Sequence, residues 1–158
     1  MSKKEQIARK LVKRYMCWSA GGALIPIPVA DMAVITGAQL KMVAGLSKIY
    51  DIPFEKVRVK AIFGSLMSFV IHPAVSSGML GFMLSKIVGV GVVVGTPALI
   101  LFEAAYTWAL GRVFIQHFES GGTFLDFEPD TVKQYFREQF AEGRKMVATL
   151  GTGEKAGS

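Results

Sequence analysis

With 158 residues, the chain is long enough to form one domain around its own core. Hydrophobic residues make up 51% and mean hydropathy is +0.40, which excludes a solvated, disordered polymer. The formal net charge is +6 and Cys17 is the single cysteine, which excludes an internal disulfide and points to a reduced, cytoplasmic setting.

The charge is placed unevenly. Through Lys60 there are eleven Lys or Arg against four acids, and beyond it seven against eight. A basic N-terminal third suits nucleic acid or anionic lipid. No recognition helix or aromatic stacking sheet accompanies it, so lipid is the expected partner and nucleic acid is not. No small-residue cleavage site follows a clean apolar run, so no secretory signal is expected.

Residues 1–18 predict an amphipathic helix. Ile7, Leu11, Val12 and Tyr15 share one side, and Lys3, Lys4, Arg9, Lys10, Lys13 and Arg14 supply the charge. Such a face is either solvated or laid on a membrane, where each basic residue contributes about 1 kcal/mol near anionic lipid. Residues 19–22, Ser-Ala-Gly-Gly, should break the helix. Pro26 and Pro28 then hold an extended lead-in, and Asp31 sits where an N-cap belongs. Met32, Ile35, Met42, Val43, Leu46 and Ile49 follow at helical spacing, with Gln39, Lys41 and Lys48 as polar breaks.

A turn at 51–54 carries Pro53, and residues 55–72 predict the next helix. Residues 61–84 hold no charged side chain, a length sufficient for a hydrocarbon core of about 30 Å. His72-Pro73 interrupts the run, leaving a kinked span, a re-entrant pair or two buried helices open. His72 has no Cys, His or acid at ligand spacing and is expected to be packed rather than bound to metal.

The second apolar run, 87–110, is broken by Glu103. Its glycines fall as G-x-G-x-x-x-G, one residue too many for a dinucleotide fingerprint. Gly91 and Gly95 are either a G-x-x-x-G helix-packing pair or part of a turn. Thr96-Pro97 reads as a helix start, Ser120-Gly121-Gly122 as its end. In lipid, Glu103 would cost about 2.5–3.5 kcal/mol and demand a partner or a wet cavity. Pro129 and Asp130 open the last helix, whose stripe is Val132, Tyr135, Phe136 and Phe140. Gly143 should weaken its end, and residues 149–158 should be disordered.

Two blocks carry a resemblance. Residues 25–31, Ile-Pro-Ile-Pro-Val-Ala-Asp, precede Gln39-Leu-Lys-Met42 and Ile49-Tyr50. Downstream stand Thr107-Trp-Ala-Leu-Gly-Arg112, His117-Phe118 and Gly121-Gly122. In this order, over residues 18–136, they resemble the YcjF-like, GTPase-associated bacterial domain of unknown function, the DUF697-type family. The resemblance marks Pro26, Pro28, Asp31, Gln39, Tyr50, Gly111, Arg112 and His117 as motif residues. It implies a membrane-side element of a GTPase system. Asp51 departs from the family's usual glycine, and Phe54 from its usual small polar cap, which puts that turn in question.

No phosphate loop, nucleophile elbow, paired Cys/His set or zinc-helix motif is present, so no catalytic, metal or cofactor site is expected and an enzyme is not. The expected fold is an all-α bundle of five to six helices in one domain, 1–148, divided as 1–18, 19–119 and 120–148. Its central apolar hairpin is open to membrane embedding. Three functions fit. The first is a membrane-associated adaptor or scaffold on the cytoplasmic face of the bacterial inner membrane, with a GTPase or other membrane protein as partner. The second is a soluble or peripheral homo-oligomeric adaptor. The third is a lipid or small-molecule binder with Asp31, Gln39 and Glu103 in its pocket.

Overall fold

The structure is a computed structural model that describes residues 1–22, 28–76 and 97–151. Five helices and no strand occur among the described residues: α1 Lys3–Gly22, α2 Pro28–Ile49, α3 Lys56–Ser76, α4 Pro97–Glu119 and α5 Pro129–Gly151. The all-α bundle is as expected. α4 is its axis. α1 and α5 pack most closely against it, α2 lies against α1 and α4, and α3 rests mainly on α5. α1 and α3 do not touch.

α4 is buried on nearly every side. Ala104, Ala105, Tyr106, Trp108, Leu110, Val113, Phe114 and Phe118 all lie in the core. A helix that is apolar all round must be covered, and here other helices cover it. No helix among the described residues is long and apolar enough to cross a membrane. The expectation of an embedded hairpin is therefore unsupported for α3 and α4. α3 turns Val59, Ile62, Phe63 and Leu66 inward and leaves Ala61, Gly64, Ser65, Ser68 and His72 exposed. His72 is thus not the packed histidine expected. The helix runs on through Pro73 to Ser76. Residues 77–96, with Gly91 and Gly95, lie outside the described residues.

α1 also differs. Its buried stripe is Ala8, Val12, Met16 and Ser19, with Leu11 and Tyr15 at the border and Ile7 facing out. It extends to Gly22, because the expected break at Ser19 is instead a buried contact. Ser2 caps it. The hydroxyl accepts from the Glu5 amide at 3.0 Å, the arrangement a Ser-x-x-Glu start favours. The fit of α1 on α4 depends on Gly111, where any Cβ would overlap both methyls of Val12.

α2 begins at Pro28, so Asp31 is in the first turn and is not the N-cap. Proline's fixed φ suits that first position. Pro26 lies outside the described residues. α5 continues through Gly151, so the expected tail cannot start at residue 149. Gly143 does not loosen it. That glycine lets the α5 backbone approach Ala105 and Trp108, where a Cβ would stand 3.0 Å from the Ala105 Cα.

Two helix ends meet at one pole, and both close the same way. At α2, the Ile52 amide bonds the Ser47 carbonyl at 2.8 Å, with Asp51 at φ 59°. At α4, the Gly122 amide bonds the His117 carbonyl at 2.9 Å, with Gly121 at φ 83°. Each pattern satisfies the last carbonyls through one left-handed residue. Asp51 therefore does what glycine does elsewhere, at a conformational cost. Its ion pair with Lys4, 3.1 Å and solvent-exposed, offsets little. Asp51→Gly is expected to raise stability by about 0.5–1 kcal/mol. Urea unfolding checks this, and an unchanged or lower midpoint would refute it. Phe54, in the place of a polar cap, packs edge-on against Phe124 at 6.1 Å instead.

Candidate functional site

The candidate residues fall into three groups. The first closes the pole. The Tyr50 hydroxyl donates to Glu119 Oε1 at 2.6 Å, and the Ser2 hydroxyl donates to the same oxygen at 2.9 Å. Burial first, then the Glu119 charge, pushes the Tyr50 phenol well above its usual pKa. His117 Nε2 lies 2.8 Å from the Thr123 carbonyl and 3.7 Å from Asp126 Oδ1. The Thr123 hydroxyl and amide both donate to Asp126, which holds its carboxyl below the usual range. The His117 ring stands edge-on to Phe127 at 4.9 Å, with Gly122 against it. His117 and the glycine pair thus build a helix end.

The second group is a buried polar chain. Thr107 Oγ1 donates to Ser19 Oγ at 3.0 Å and accepts from Gln39 Nε2 at 3.2 Å. All three side chains are buried, and they tie α1, α2 and α4 together. Gln39 is therefore committed to Thr107. Asp31 lies eight residues earlier, roughly 12 Å along the helix axis, and its side chain is outside the described residues. Glu103 is half-buried on α4. Burial, and then the charge of Glu103, pushes the Tyr106 phenol well up, and its hydroxyl donates to the Phe63 carbonyl at 2.8 Å.

The third group has the character of a binding surface. Lys3, Ile7, Lys10, Arg14 and Trp18 recur at helical spacing on the outer side of α1, and all are exposed. Ile7 is 49% exposed and Trp18 58%, so two apolar side chains stand among the cations. Lys3, Lys10, Lys13 and Arg14 make no ion pair among the described residues. Arg9 differs. Its Nε and Nη2 donate to Glu5 Oε1 at 2.9 and 2.6 Å, which holds the Glu5 carboxyl below its usual range.

On the flank of this surface a groove of about 350 Å³ opens between α1, α4 and α5. Arg9, Lys10 and Lys13 line it from α1, Trp108 and Arg112 from α4, Glu142 and Met146 from α5. The Arg112 guanidinium lies 5.7 Å from the centre of the Trp108 ring, and its Nε donates to Gln139 Oε1 at 3.2 Å. Arg112 Nη1 and Trp108 Nε1 are buried without an acceptor. Three helices build this groove, so no single stretch of sequence carries it. Its one local signal was the four-residue spacing of Trp108 and Arg112.

Residues 1–145 match a protein family described as a domain of unknown function, DUF697. The chain belongs to this family. It is also similar to magnetosome membrane protein 22 of Magnetospirillum gryphiswaldense, at 27% identity over 153 residues, 97% of this chain and 78% of that protein. No solved structure matches. In this DUF697 chain, Tyr50, Gly111 and His117 serve the fold. Arg112, from the same block, faces the groove.

Proposed function

We propose that the chain is a non-enzymatic helical module of the bacterial inner membrane. It lies on the cytoplasmic face, attached through the outer side of α1, and acts as an adaptor or scaffold for a membrane protein or a GTPase. One observation carries this reading: Lys3, Lys10 and Arg14 share an exposed face with Ile7 and Trp18. Cations give long-range attraction to anionic lipid, and the two apolar side chains give short-range insertion. The similarity to a magnetosome membrane protein supports the membrane setting. The family resemblance supports the GTPase link.

Deleting residues 1–14 would be a poor test, because Ala8 and Val12 belong to the core. Charge reversal on the exposed side is the better one. The intact protein should co-sediment with phosphatidylglycerol vesicles at low salt and much less with phosphatidylcholine vesicles. Lys3→Glu with Arg14→Glu should weaken that binding at least about tenfold, at about 1 kcal/mol per basic residue. Trp18→Ser should remove the part that survives high salt, which screening cannot reach. Equal binding to both vesicle types, or an unaffected double variant, would sink the reading.

A peripheral homo-oligomeric adaptor has its own support at the pole. Val57 is 84% exposed and Leu125 67%, and Arg58 Nη1 links their segments through the Leu125 carbonyl at 3.5 Å. Sedimentation velocity without lipid separates the two, since only this second reading requires a defined oligomer.

A further inference from the structure

The groove between α1, α4 and α5 is built unlike the rest of the surface. A buried donor without an acceptor costs about 1–3 kcal/mol, and native proteins keep few of them. Two such donors occur here on neighbouring turns of one helix, Trp108 Nε1 and Arg112 Nη1. Trp108 is only 4% exposed, so solvent does not compensate it. Both residues line the same groove. Neither donor is explained by the packing around it. The Gln139 side chain takes only Arg112 Nε, and the α5 backbone at Gly143, close to the Trp108 ring, gives its N–H no acceptor.

Charge points the same way. Arg9, Lys10, Lys13 and Arg112 bring four cations to the groove, against Glu142 as the lining carboxylate and Glu5 beside Arg9. The balance is two positive charges. A volume of about 350 Å³ equals the share of about twelve waters, enough for a phosphate group and part of its carrier. An unsatisfied indole N–H, a guanidinium fork and two lysines are together a donor set that only an anion with several oxygens satisfies.

We propose that this groove binds a phosphate group, either free or as the terminal phosphate of a lipid headgroup. Its oxygens accept from Trp108 Nε1–H and Arg112 Nη1–H, and Lys10 and Lys13 neutralise it from the rim. Both buried nitrogens lie out of contact with water, so entry displaces a side chain. Met146, half-buried and lining the groove, is an unbranched side chain of the kind that can move aside. Apart from Lys10, which also belongs to the outer side of α1, the groove shares no residue with that attachment surface. It faces the flank of that helix and is tested without a membrane.

The chain has two tryptophans, so Trp18→Phe leaves Trp108 as the single indole and its N–H resonance as a direct reporter. Inorganic phosphate should shift that resonance saturably, and sodium chloride at equal ionic strength should not. Short-chain phosphatidic acid, kept below its micelle concentration, forms the second arm. At least tenfold tighter binding than inorganic phosphate identifies a lipid headgroup as the source, and equal binding identifies free phosphate. Lys10→Gln with Lys13→Gln, both on exposed positions that leave the core intact, should weaken either ligand at least tenfold. The proposal is overturned if neither ligand moves the Trp108 resonance. It is equally overturned if the double variant binds as well as the parent. Vesicle binding through Lys3 and Arg14 can fail or succeed separately from both results.

Discussion

Phe114→Ala should cost about 3–5 kcal/mol of stability, the usual range for emptying a large aromatic site. Phe114 is fully buried, and its ring meets Phe63, Phe118, Phe124 and Phe127 at 5.2–6.5 Å between centroids. It therefore joins α3, α4 and the segment leading into α5. A domain of this size holds about 5–15 kcal/mol in all, so roughly a fifth or more of its stability rests on one side chain. Urea unfolding should show a lower midpoint at unchanged slope. Phe54→Ala, at a partly exposed ring in the same region, should cost far less. A loss under about 1 kcal/mol at Phe114 would mean that the cluster collapses into the space, against the packing described.

Gly111→Ala should destabilise by about 1–3 kcal/mol through overpacking. The added methyl would fall on Val12, whose β-branched side chain is fully buried and stiff at χ1. The backbones of α1 and α4 must part, which also stretches the Ser19–Thr107 hydrogen bond. A double-mutant cycle with Val12→Ala gives the sharper reading. The smaller side chain makes room for the new methyl, so the double variant should be more stable than the sum of the single losses by at least about 1 kcal/mol. Strict additivity would show that the glycine is not there for close approach.

Much of the fold could be read locally. Pro97 and Ser120-Gly121-Gly122 marked both ends of α4, because helix ends depend on a few adjacent residues. Pro28 was ambiguous, since proline both ends an extended segment and starts a helix, and Asp31 was misplaced in consequence. The inner stripe of α1 escaped because Ala8 and Ser19 have little hydrophobic weight. The partners that set the stripe lie on other helices: Gly45 and Gly111 make room for Leu11 and Val12, and Thr107 bonds Ser19, none of which any window along α1 contains. The apolar character of α4 was plain, but lipid and a surrounding bundle ask for the same composition. The groove needed three helices to exist. Only its Trp108–Arg112 pair lay within one stretch of sequence.

The docking of α1 fixes the energetics of whatever its outer side meets. A disordered basic arm must order itself on contact and gives up several kcal/mol in doing so. α1 is already a helix, capped at Ser2, packed through Val12 and pinned by the buried Ser19–Thr107–Gln39 chain. Its cations and Trp18 are held in register before any encounter. Association through it is then a rigid-body event that charge steering accelerates, with a small heat-capacity change. The same rigidity gives the bundle a fixed roll angle: α3 does not pack on α1, so the helix that meets the partner surface leaves the packing of α3 undisturbed.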